Sequence, residues 1–231
     1  MAWDIKDSEG RKVFSGVLDD STLLTLYRLS NKGVFDLLYG FLKQGKESSV
    51  LLGERAGEKV AIKVHAVTAA KFKRIHPYII GDERFRRIKK SRRAVIFAWC
   101  RKEFKNMKLA ERCGVACPKP IAQMNNVLVM EFLGTDSEPA PRLCDTEPED
   151  PERMFETVVT FIRRLYRGGL VHGDLSAYNI LVHRGEPYFI DFSQGVLTTH
   201  PNAGIFLERD VKNVCSYFGK DWEEVYSSVV S

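Results

Sequence analysis

Three polar residues in the C-terminal third of the chain occur at spacings that few folds can accommodate. Asp174 is followed five residues later by Asn179, and Asp191 comes twelve residues after that. Short apolar runs between Asn179 and Asp191 predict a strand pair, which would return Asp191 to the loop that carries Asp174. Mg²⁺ prefers carboxylate and amide oxygens of this kind and completes its shell with phosphate and water. The spacing therefore predicts a metal-binding loop and strand pair within a mixed α and β fold.

The residues around these three positions match the catalytic loop of protein kinases. Segment 172–179 reads HGDLSAYN and segment 189–193 reads FIDFS, which follows the kinase pattern HxDLxxxN and then DFG. In that pattern the first Asp accepts the proton of the attacking hydroxyl, and the Asn and the second Asp bind Mg²⁺. We therefore expect Asp174 to be the catalytic base, and Asn179 and Asp191 to be metal ligands.

Two upstream residues fit the same pattern. Lys63 ends a predicted strand, and Glu103 lies on the predicted helix that follows. Kinases place at these positions a lysine that binds the α- and β-phosphates and a glutamate that pairs with it. Further along, the apolar segment 127–133 is typical of a buried strand, and we expect the backbone near its end to bind adenine. The candidates for the adenine site are Met130, Glu131 and Leu133.

The predicted nucleotide loop departs from the usual kinase sequence, because it holds only Gly45 where kinases have three glycines. The run GFLKQGKE nearly matches the phosphate-binding pattern GxxxxGK[ST]. However, Glu47 replaces the hydroxyl residue, and a predicted strand follows where that pattern needs a helix N-terminus. We reject that alternative and assign the loop to ATP in a kinase-like fold. Its candidate contacts are Gly45, Lys46, Glu47, Ser48 and Val50, together with Lys63.

Apolar periodicity predicts an α+β protein in which strands dominate the first half and helices the second. Helices are predicted at 19–30, 94–112, from 151 onward and at 204–218; strands are predicted at 38–42, 50–52, 60–64, 127–133, 180–183 and 188–190. We expect one kinase domain with a minimal bilobal fold. Its parts are a helical extension (1–36) packed on the N-lobe, an N-lobe (37–133) with an antiparallel sheet, a helix and a basic insertion at about 65–93, and a hinge-linked, reduced, mostly helical C-lobe (134–231).

Charge is unevenly distributed, although the formal net charge is only +5. Residues 71–108 contain fourteen Lys and Arg against three acidic residues. Such a run is either a solvated face or a surface that meets phosphate, with RNA as the favoured partner. Since like charges resist compact packing, we expect about 80–92, which includes Arg84, to be mobile without a partner. The alternative is that this loop folds onto the acidic segment 136–156.

Composition excludes several classes of protein. Hydrophobic residues make up 44% and charged residues 28% of the 231 residues, which excludes a mainly disordered chain. No apolar run approaches the length of a membrane span, and the first residues lack the apolar run of a signal peptide. The five cysteines are odd in number and form no CxxC pair. That pattern favours reduced thiols in a cytoplasmic protein over disulfides or a zinc site.

Together these motifs resemble the RIO family of atypical serine/threonine protein kinases. The similarity covers about residues 21–218 and is greatest to the type-one branch in its archaeal form. It rests on the motifs around Asp174 and Asp191 and on GKES (45–48), AIK (61–63), YIIGDERF (78–85), AWCRKEF (98–104) and CPKPI (117–121). The resemblance implies a kinase or ATPase that uses ATP with Mg²⁺ or Mn²⁺ and acts on the small ribosomal subunit precursor or its RNA, which residues 71–108 would contact. It also implies that Asp191 can become an aspartyl-phosphate.

Two other interpretations remain open. An HGDL loop also occurs in other minimal phosphotransferases, such as the small kinase of the tRNA-modifying KEOPS complex and small-molecule kinases of the aminoglycoside type. A non-catalytic RNA-binding scaffold that uses residues 71–108 is the other alternative. Segments 45–48 and 206–210 favour the RIO family over other phosphotransferases. The intact set of site residues argues against the scaffold: Lys63, Glu103, Asp174, Asn179 and Asp191.

Overall fold

The computed structural model of the protein describes residues 4–5, 12, 14–67, 72–86, 88, 91–135 and 138–231. The chain divides into two compact units. The first unit comprises Met1–Phe72, Arg87–Phe104 and Pro120–Phe132, and the second comprises Lys73–Arg86, Lys105–Lys119 and Leu133–Ser231. The predicted boundaries of the extension and the two lobes stay a prediction. Within the described ranges, no helix is both long enough and apolar enough to cross a membrane.

A five-stranded antiparallel sheet is the framework of the first unit. The predicted antiparallel sheet is confirmed: the first three strands pair in succession, and the sheet continues with the two strands that come later in the chain. The spatial order is β1-β2-β3-β5-β4. The strands are β1 (Leu37–Gln44), β2 (Ser48–Arg55), β3 (Glu58–His65), β4 (Pro120–Met124) and β5 (Val127–Glu131).

Helix α1 (Asp20–Asn31) lies where the sequence predicts a helix and is capped at its start by Asp19. The Asp19 carboxylate accepts a hydrogen bond from the Thr22 backbone N–H at 3.1 Å. This contact satisfies one of the amides that the first turn of a helix leaves without an intrahelical partner. The apolar face of α1 is buried in the same hydrophobic core as the sheet, through Leu23, Leu26 and Leu29.

Side-chain alternation gives the two faces of the sheet different roles. Ile62 and Val64 of β3 are buried in the core that contains the apolar face of α1. Successive side chains of a strand point to opposite faces, so Lys63 and His65 lie on the face away from that core. The lysine that the sequence assigns to ATP is therefore on a rigid, central strand.

Helices dominate the second unit, as predicted. The helices that follow α1 are α2 (Phe72–Ile79), α3 (Arg92–Arg112), α4 (Pro151–Arg167), α5 (Ala203–Phe218) and α6 (Trp222–Val230). Of these, α2 and α3 contain residues of both units. Strands β7 (Ile180–His183) and β8 (Glu186–Phe189) form a hairpin, and β6 (Leu170–Val171) pairs with β9 (Val196–Leu197).

The sequence patterns do not predict several of the elements, among them α2, β4 and α6. Helix α2 contains Pro77, which is unfavourable inside a helix, and strand β4 begins with Pro120, which is rare inside sheets. Gly219 ends α5 as predicted, with a left-handed φ of 65°. A new helix, α6, then starts at Trp222 and is capped by Asp221, whose carboxylate accepts the Glu223 backbone N–H at 2.8 Å.

The expectation that residues 80–92 are mobile is wrong for the part that includes Arg84. A 3₁₀ helix (Glu83–Phe85) is capped there by Asp82. The Arg84 side chain is only 19% exposed and lies 2.6 Å from the carboxylate of Asp82. Arg86, by contrast, is 68% exposed, and its neighbours 87, 89 and 90 lie outside the described residues. One arginine of the basic run thus belongs to the packed structure.

The start of the predicted hinge-linked lobe, segment 134–152, also has defined contacts where the structure describes it. The Thr135 backbone N–H donates to the Glu138 carbonyl at 2.9 Å, and the Val182 backbone N–H donates to the Pro141 carbonyl at 2.8 Å. A 3₁₀ helix (Leu143–Asp145) follows. The segment therefore lies against the β7–β8 hairpin.

Candidate active site

A buried ion pair joins β3 to α3 in the first unit. Lys63 Nζ lies 2.7 Å from Glu103 Oε1, and the two side chains are 6% and 1% exposed. The other carboxylate oxygen of Glu103, Oε2, lies 2.7 Å from Nε2 of His65. The predicted pairing of Lys63 with Glu103 is therefore present, and the glutamate is held at both of its oxygens.

His65 was not identified from the sequence as a site residue, although its position two residues after Lys63 on a strand is a signal for it. Residues two positions apart on a strand share a face, so His65 and Lys63 point to the same side. A buried carboxylate needs partners for both oxygens, and a single lysine contacts one of them here. A polar residue two positions from Lys63 was thus a candidate for the second contact.

Strand register places two further candidates beside Lys63. Val50 is directly opposite Lys63 in the β2–β3 pair, and Met130 is directly opposite Ala61 in the β3–β5 pair. Directly opposed residues share a face of an antiparallel sheet, and so do Ala61 and Lys63 on one strand. Lys63, Val50 and Met130 consequently lie on one face of the sheet.

The other predicted nucleotide contacts lie at the ends of strands. Ser48 opens β2, and Glu131 is the exposed last residue of β5. Leu133 is 5% exposed and belongs to the second unit. Three exposed residues form the turn between β1 and β2: Gly45, Lys46 and Glu47.

Two amide side chains hold Asp174 in the second unit. Asn179 Nδ2 donates to the Asp174 backbone carbonyl at 2.7 Å and lies 3.4 Å from Asp174 Oδ2. Gln194 Nε2 donates to the same Oδ2 at 2.7 Å. The Asp174 carboxylate therefore has a fixed orientation, which a base that accepts a proton from a bound substrate requires.

The β7–β8 hairpin brings Asn179 and Asp191 to one end of the same strand pair. Ile180 pairs with Phe189 at this end of the hairpin. Beyond that pair, the Ile190 backbone N–H donates to the Asn179 carbonyl at 3.0 Å. The strand pair predicted from the spacing of Asn179 and Asp191 is therefore present, and it returns the chain to Asn179 just before Asp191.

Asp191 has a left-handed backbone, with φ 61° and ψ 63°. This conformation costs a residue other than glycine about 1–2 kcal/mol, so neighbouring contacts must hold it. The Ser193 backbone N–H lies 3.4 Å from Asp191 Oδ1, and the next residues form a 3₁₀ turn (Phe192–Gln194). Backbone strain of this kind is concentrated at functional sites.

Gly173 occupies the position of the arginine in the usual HRD motif of kinases. Its φ is 78°, and a Cβ added there would lie 2.9 Å from the Gln194 carbonyl oxygen. Both the conformation and the available space therefore require glycine. The Gly173 carbonyl accepts a hydrogen bond from Arg209 Nη2, which also donates to the Tyr78 hydroxyl at 2.9 Å.

Asp210 of α5 holds the loop that contains Gly173 and Leu175 by accepting hydrogen bonds from its backbone. Its carboxylate accepts the Gly173 N–H at 2.7 Å and the Leu175 N–H at 2.8 Å. Burial raises the pKa of Asp210 from 3.8 to about 7, although these two hydrogen bonds and Arg209 act in the opposite direction. Sequence reasoning assigned no role to Asp210 or Gln194, because their partners lie far away in the chain and no periodic pattern links them.

The pKa of Asp210 makes stability depend on pH in a defined direction. Because the folded-state pKa (about 7) lies above the ordinary value of 3.8, proton binding favours the folded state. This contribution is fully present below pH 3.8 and is lost as the pH rises through about 7. Asp210→Asn lacks the ionisation, so its unfolding free energy relative to wild type should rise by about 1.4 kcal/mol per pH unit between these values. Urea unfolding of both proteins at several pH values measures this difference, and a constant difference contradicts the raised pKa.

Comparison with known proteins places this arrangement in a family. The profile of the RIO domain family matches residues 49–229. The chain is 43% identical over 217 residues to the RIO-type serine/threonine-protein kinase Rio1 of Haloferax volcanii, covering 93% of this chain and 74% of that protein. It is 36% identical over 220 residues to the human serine/threonine-protein kinase RIO1, covering 93% of this chain and 39% of that protein.

A solved structure is similar in fold. The crystal structure of the Rio2 kinase-ADP/Mg²⁺-phosphoaspartate complex from Chaetomium thermophilum aligns with a TM-score of 0.66 and 23% identity, covering 89% of this chain and 65% of that one. The predicted α+β kinase-like fold is thereby confirmed, and the names of the relatives confirm the predicted enzyme class, an ATP-dependent protein kinase. Since the RIO domain spans residues 49–229 and Rio1 proteins from archaea to human match nearly all of the chain, the chain belongs to the RIO family of serine/threonine protein kinases.

Proposed function

We propose that the protein is a Mg²⁺-dependent kinase or ATPase that moves the γ-phosphate of ATP to a protein serine or threonine, or to water, during maturation of the small ribosomal subunit. The observation that carries this proposal is the grouping of Asp174, Asn179 and Asp191 at one end of the β7–β8 hairpin. A cytoplasmic location is part of the proposal. The five cysteines form no disulfide, which suits a reducing compartment.

Residues of the first unit are proposed to contact both the phosphates and the adenine of ATP. Lys63 would contact the α- and β-phosphates, while Glu103 keeps its ammonium group in place at 2.7 Å. The exposed turn 45–47 would cover the phosphates with its backbone N–H groups. Met130 would flank the adenine, and the backbone at the end of β5 would hydrogen-bond to it.

The second-unit side chains fit a hard divalent cation. Asp191 offers a carboxylate and Asn179 an amide oxygen, both of which suit Mg²⁺. Because Asn179 Nδ2 donates to the Asp174 carbonyl at 2.7 Å, the Oδ1 atom would be the one that binds the cation. When bound, Mg²⁺ or Mn²⁺ would neutralise charge on the β- and γ-phosphates and orient them.

Asp174 is proposed as the base. Its carboxylate, oriented by Gln194 at 2.7 Å, would accept the proton of a hydroxyl or water as that oxygen attacks the γ-phosphorus. The bond between the γ-phosphorus and the β–γ bridging oxygen breaks, and ADP leaves with that oxygen. The hydrogen bonds from Gly173 and Leu175 to Asp210 keep the loop in position.

Asp191 is proposed as an additional acceptor of the phosphoryl group. One carboxylate oxygen would form a bond to the γ-phosphorus as the bond to ADP breaks. Water would then hydrolyse the acyl phosphate, which restores the carboxylate and releases inorganic phosphate. The similar Rio2 structure is a phosphoaspartate complex, which supports the same route for this protein.

A single-turnover assay with γ-labelled ATP and Mg²⁺ tests the proposal. Acid-stable label on the protein would indicate a phosphoserine or phosphothreonine, and hydroxylamine-labile label would indicate the aspartyl-phosphate. Labelled free phosphate with neither product would indicate direct hydrolysis. Failure to consume ATP in the presence of Mg²⁺ would contradict the proposed activity.

Ribosomal RNA is proposed as a partner of the exposed cations within residues 71–108. Arg86, Arg92 and Arg93 are exposed, whereas the Arg84 side chain is only 19% exposed. Changing these three arginines to Ala should weaken binding to small-subunit RNA. It should also reduce the slope of log affinity against log salt by up to about 2, since each neutralised phosphate of single-stranded RNA contributes about 0.7.

Fluorescence anisotropy of a labelled small-subunit RNA fragment across a salt series measures both quantities. The matched control is a variant in which three exposed cations of the second unit are changed to Ala. These are Arg153, Arg167 and Lys220. This control should bind RNA as wild type does. Unchanged affinity and slope in the Arg86, Arg92 and Arg93 variant would remove the RNA role.

A further inference from the structure

A single buried amide bridges both ends of the turn that follows Asp191. Asn106 Nδ2 donates to the carbonyl oxygens of Phe192 and Gly195, each at 2.9 Å. The side chain belongs to α3, and the residue is 1% exposed. A Cβ on Gly195 would lie 2.8 Å from Asn106 Nδ2, so the glycine allows the amide to approach. The turn is thus held by a side chain 86 residues away in the chain.

Arg84 fixes the orientation of that amide. Its Nη1 donates to Asn106 Oδ1 at 2.7 Å, and its Nη2 lies 3.4 Å from the Gly195 carbonyl oxygen. Because the oxygen of the Asn106 amide faces the guanidinium, its NH₂ group must face the turn. Arg84 therefore decides which way the bridging amide points.

Asp82 in turn holds the Arg84 guanidinium in place. The guanidinium donates to both carboxylate oxygens, from Nε at 2.8 and 3.0 Å and from Nη2 at 2.6 Å. The Asp82 side chain is 2% exposed, so the pair is largely withdrawn from water. Paired, charge-assisted contacts of this kind depend on the planar fork of arginine, which lysine lacks.

We infer that Asp82, Arg84 and Asn106 are positioning residues for the carboxylate of Asp191. Their contacts form a continuous chain, within the second unit, that ends on the backbone immediately after Asp191. That backbone is left-handed at Asp191, with φ 61°, and needs outside contacts to stay so. The inference rests on the proposed function, in which Asp191 is a metal ligand. It assigns one arginine of the basic run to the metal site.

Mn²⁺-dependent binding of ADP, followed by isothermal titration calorimetry, tests this inference without measuring turnover. Arg84→Lys keeps the charge but loses the fork, and Asn106→Asp keeps the size but turns an oxygen toward two carbonyl oxygens. We expect each variant to need about tenfold more Mn²⁺ for half-maximal enhancement of ADP binding. Affinity for ADP without metal should stay within about twofold of wild type, because these residues lie outside the proposed nucleotide contacts.

Hydrogen exchange supplies a readout of the turn itself. The Gly195 amide donates to the Phe192 carbonyl at 3.1 Å in the folded protein, and its protection should decrease in both variants. Arg153→Lys, at an exposed arginine paired with Glu186, is the control and should leave both readouts unchanged. Should Arg84→Lys fail to fold, Asn106→Asp decides the outcome.

Asp191→Asn in the same titration separates this inference from the proposed function. If Asp191→Asn leaves the Mn²⁺ dependence unchanged, the metal-site assignment itself fails. If Asp191→Asn abolishes that dependence while Arg84→Lys and Asn106→Asp have the wild-type Mn²⁺ requirement, only the positioning inference is overturned. Equal losses of thermal stability with an unchanged Mn²⁺ requirement would likewise mean that the three residues serve the fold alone.

Discussion

Replacing Asp191 with Asn should stop ATP turnover without unfolding the protein. Asn tolerates the left-handed backbone at this position, where φ is 61°, and it is almost the size of Asp. The substitution removes the negative charge that a hard divalent cation requires. We expect release of labelled phosphate at saturating ATP and Mg²⁺ to slow by more than about a thousandfold. The midpoint of urea unfolding should match that of wild type.

Two companion variants make the result specific. Asp191→Ala should lose the same activity and also some stability, because Ala adopts the left-handed conformation less readily than Asn. Asp145→Asn removes an exposed carboxylate of the second unit, which pairs with Arg142 at 2.6 Å, and should turn over ATP as wild type does. Wild-type activity in Asp191→Asn would refute the metal-site assignment.

Replacing Lys63 with Met should affect both catalysis and stability. Loss of the contact with the α- and β-phosphates should lower kcat by a factor of about 100 or more. The Glu103 carboxylate, 1% exposed, would lose one of its partners, and breaking a buried pair in this way costs about 3–5 kcal/mol of unfolding free energy. Steady-state kinetics and urea unfolding measure the two effects separately.

A double variant separates the two roles of this ion pair. Lys63→Met with Glu103→Gln removes both charges, so most of the lost stability should return while activity stays low. Lys59→Met is the matched control, since Lys59 lies on the same strand and pairs with Glu54 at 3.1 Å. Recovery of activity in the double variant would mean that Lys63 acts only by neutralising the negative charge of Glu103.

Local patterns were sufficient to predict much of the fold. The amphipathic period and the Asp19 cap define α1, and short apolar runs separated by turn residues define the first three strands. The spacing of Asp174, Asn179 and Asp191 predicts the hairpin and its loop, because that spacing is itself local. Helix α2 has no such signal, since Pro77 interrupts it and tertiary packing decides its conformation.

Contacts between segments that are distant in the chain could not be predicted from the sequence. Arg84 is one cation among many in residues 71–108, and charge density does not show that it contacts Asn106. Asn106 itself is a polar residue inside a helix that would ordinarily face solvent. Asp210 likewise forms its hydrogen bonds 35 and 37 positions away in the chain. Each of these residues acquires its role only when the fold brings its partner close.

The left-handed backbone at Asp191 also limits how a chain like this can diverge. If selection for phosphoryl transfer were relaxed, most substitutions there would still be penalised, because Gly adopts a φ near 61° freely and Asn and Asp adopt it at a smaller cost than other residues do. Lineages that lose activity should therefore carry Asn or Gly at this position more often than chance. A pseudokinase with this ancestry would keep the shape of the turn long after its charge had gone.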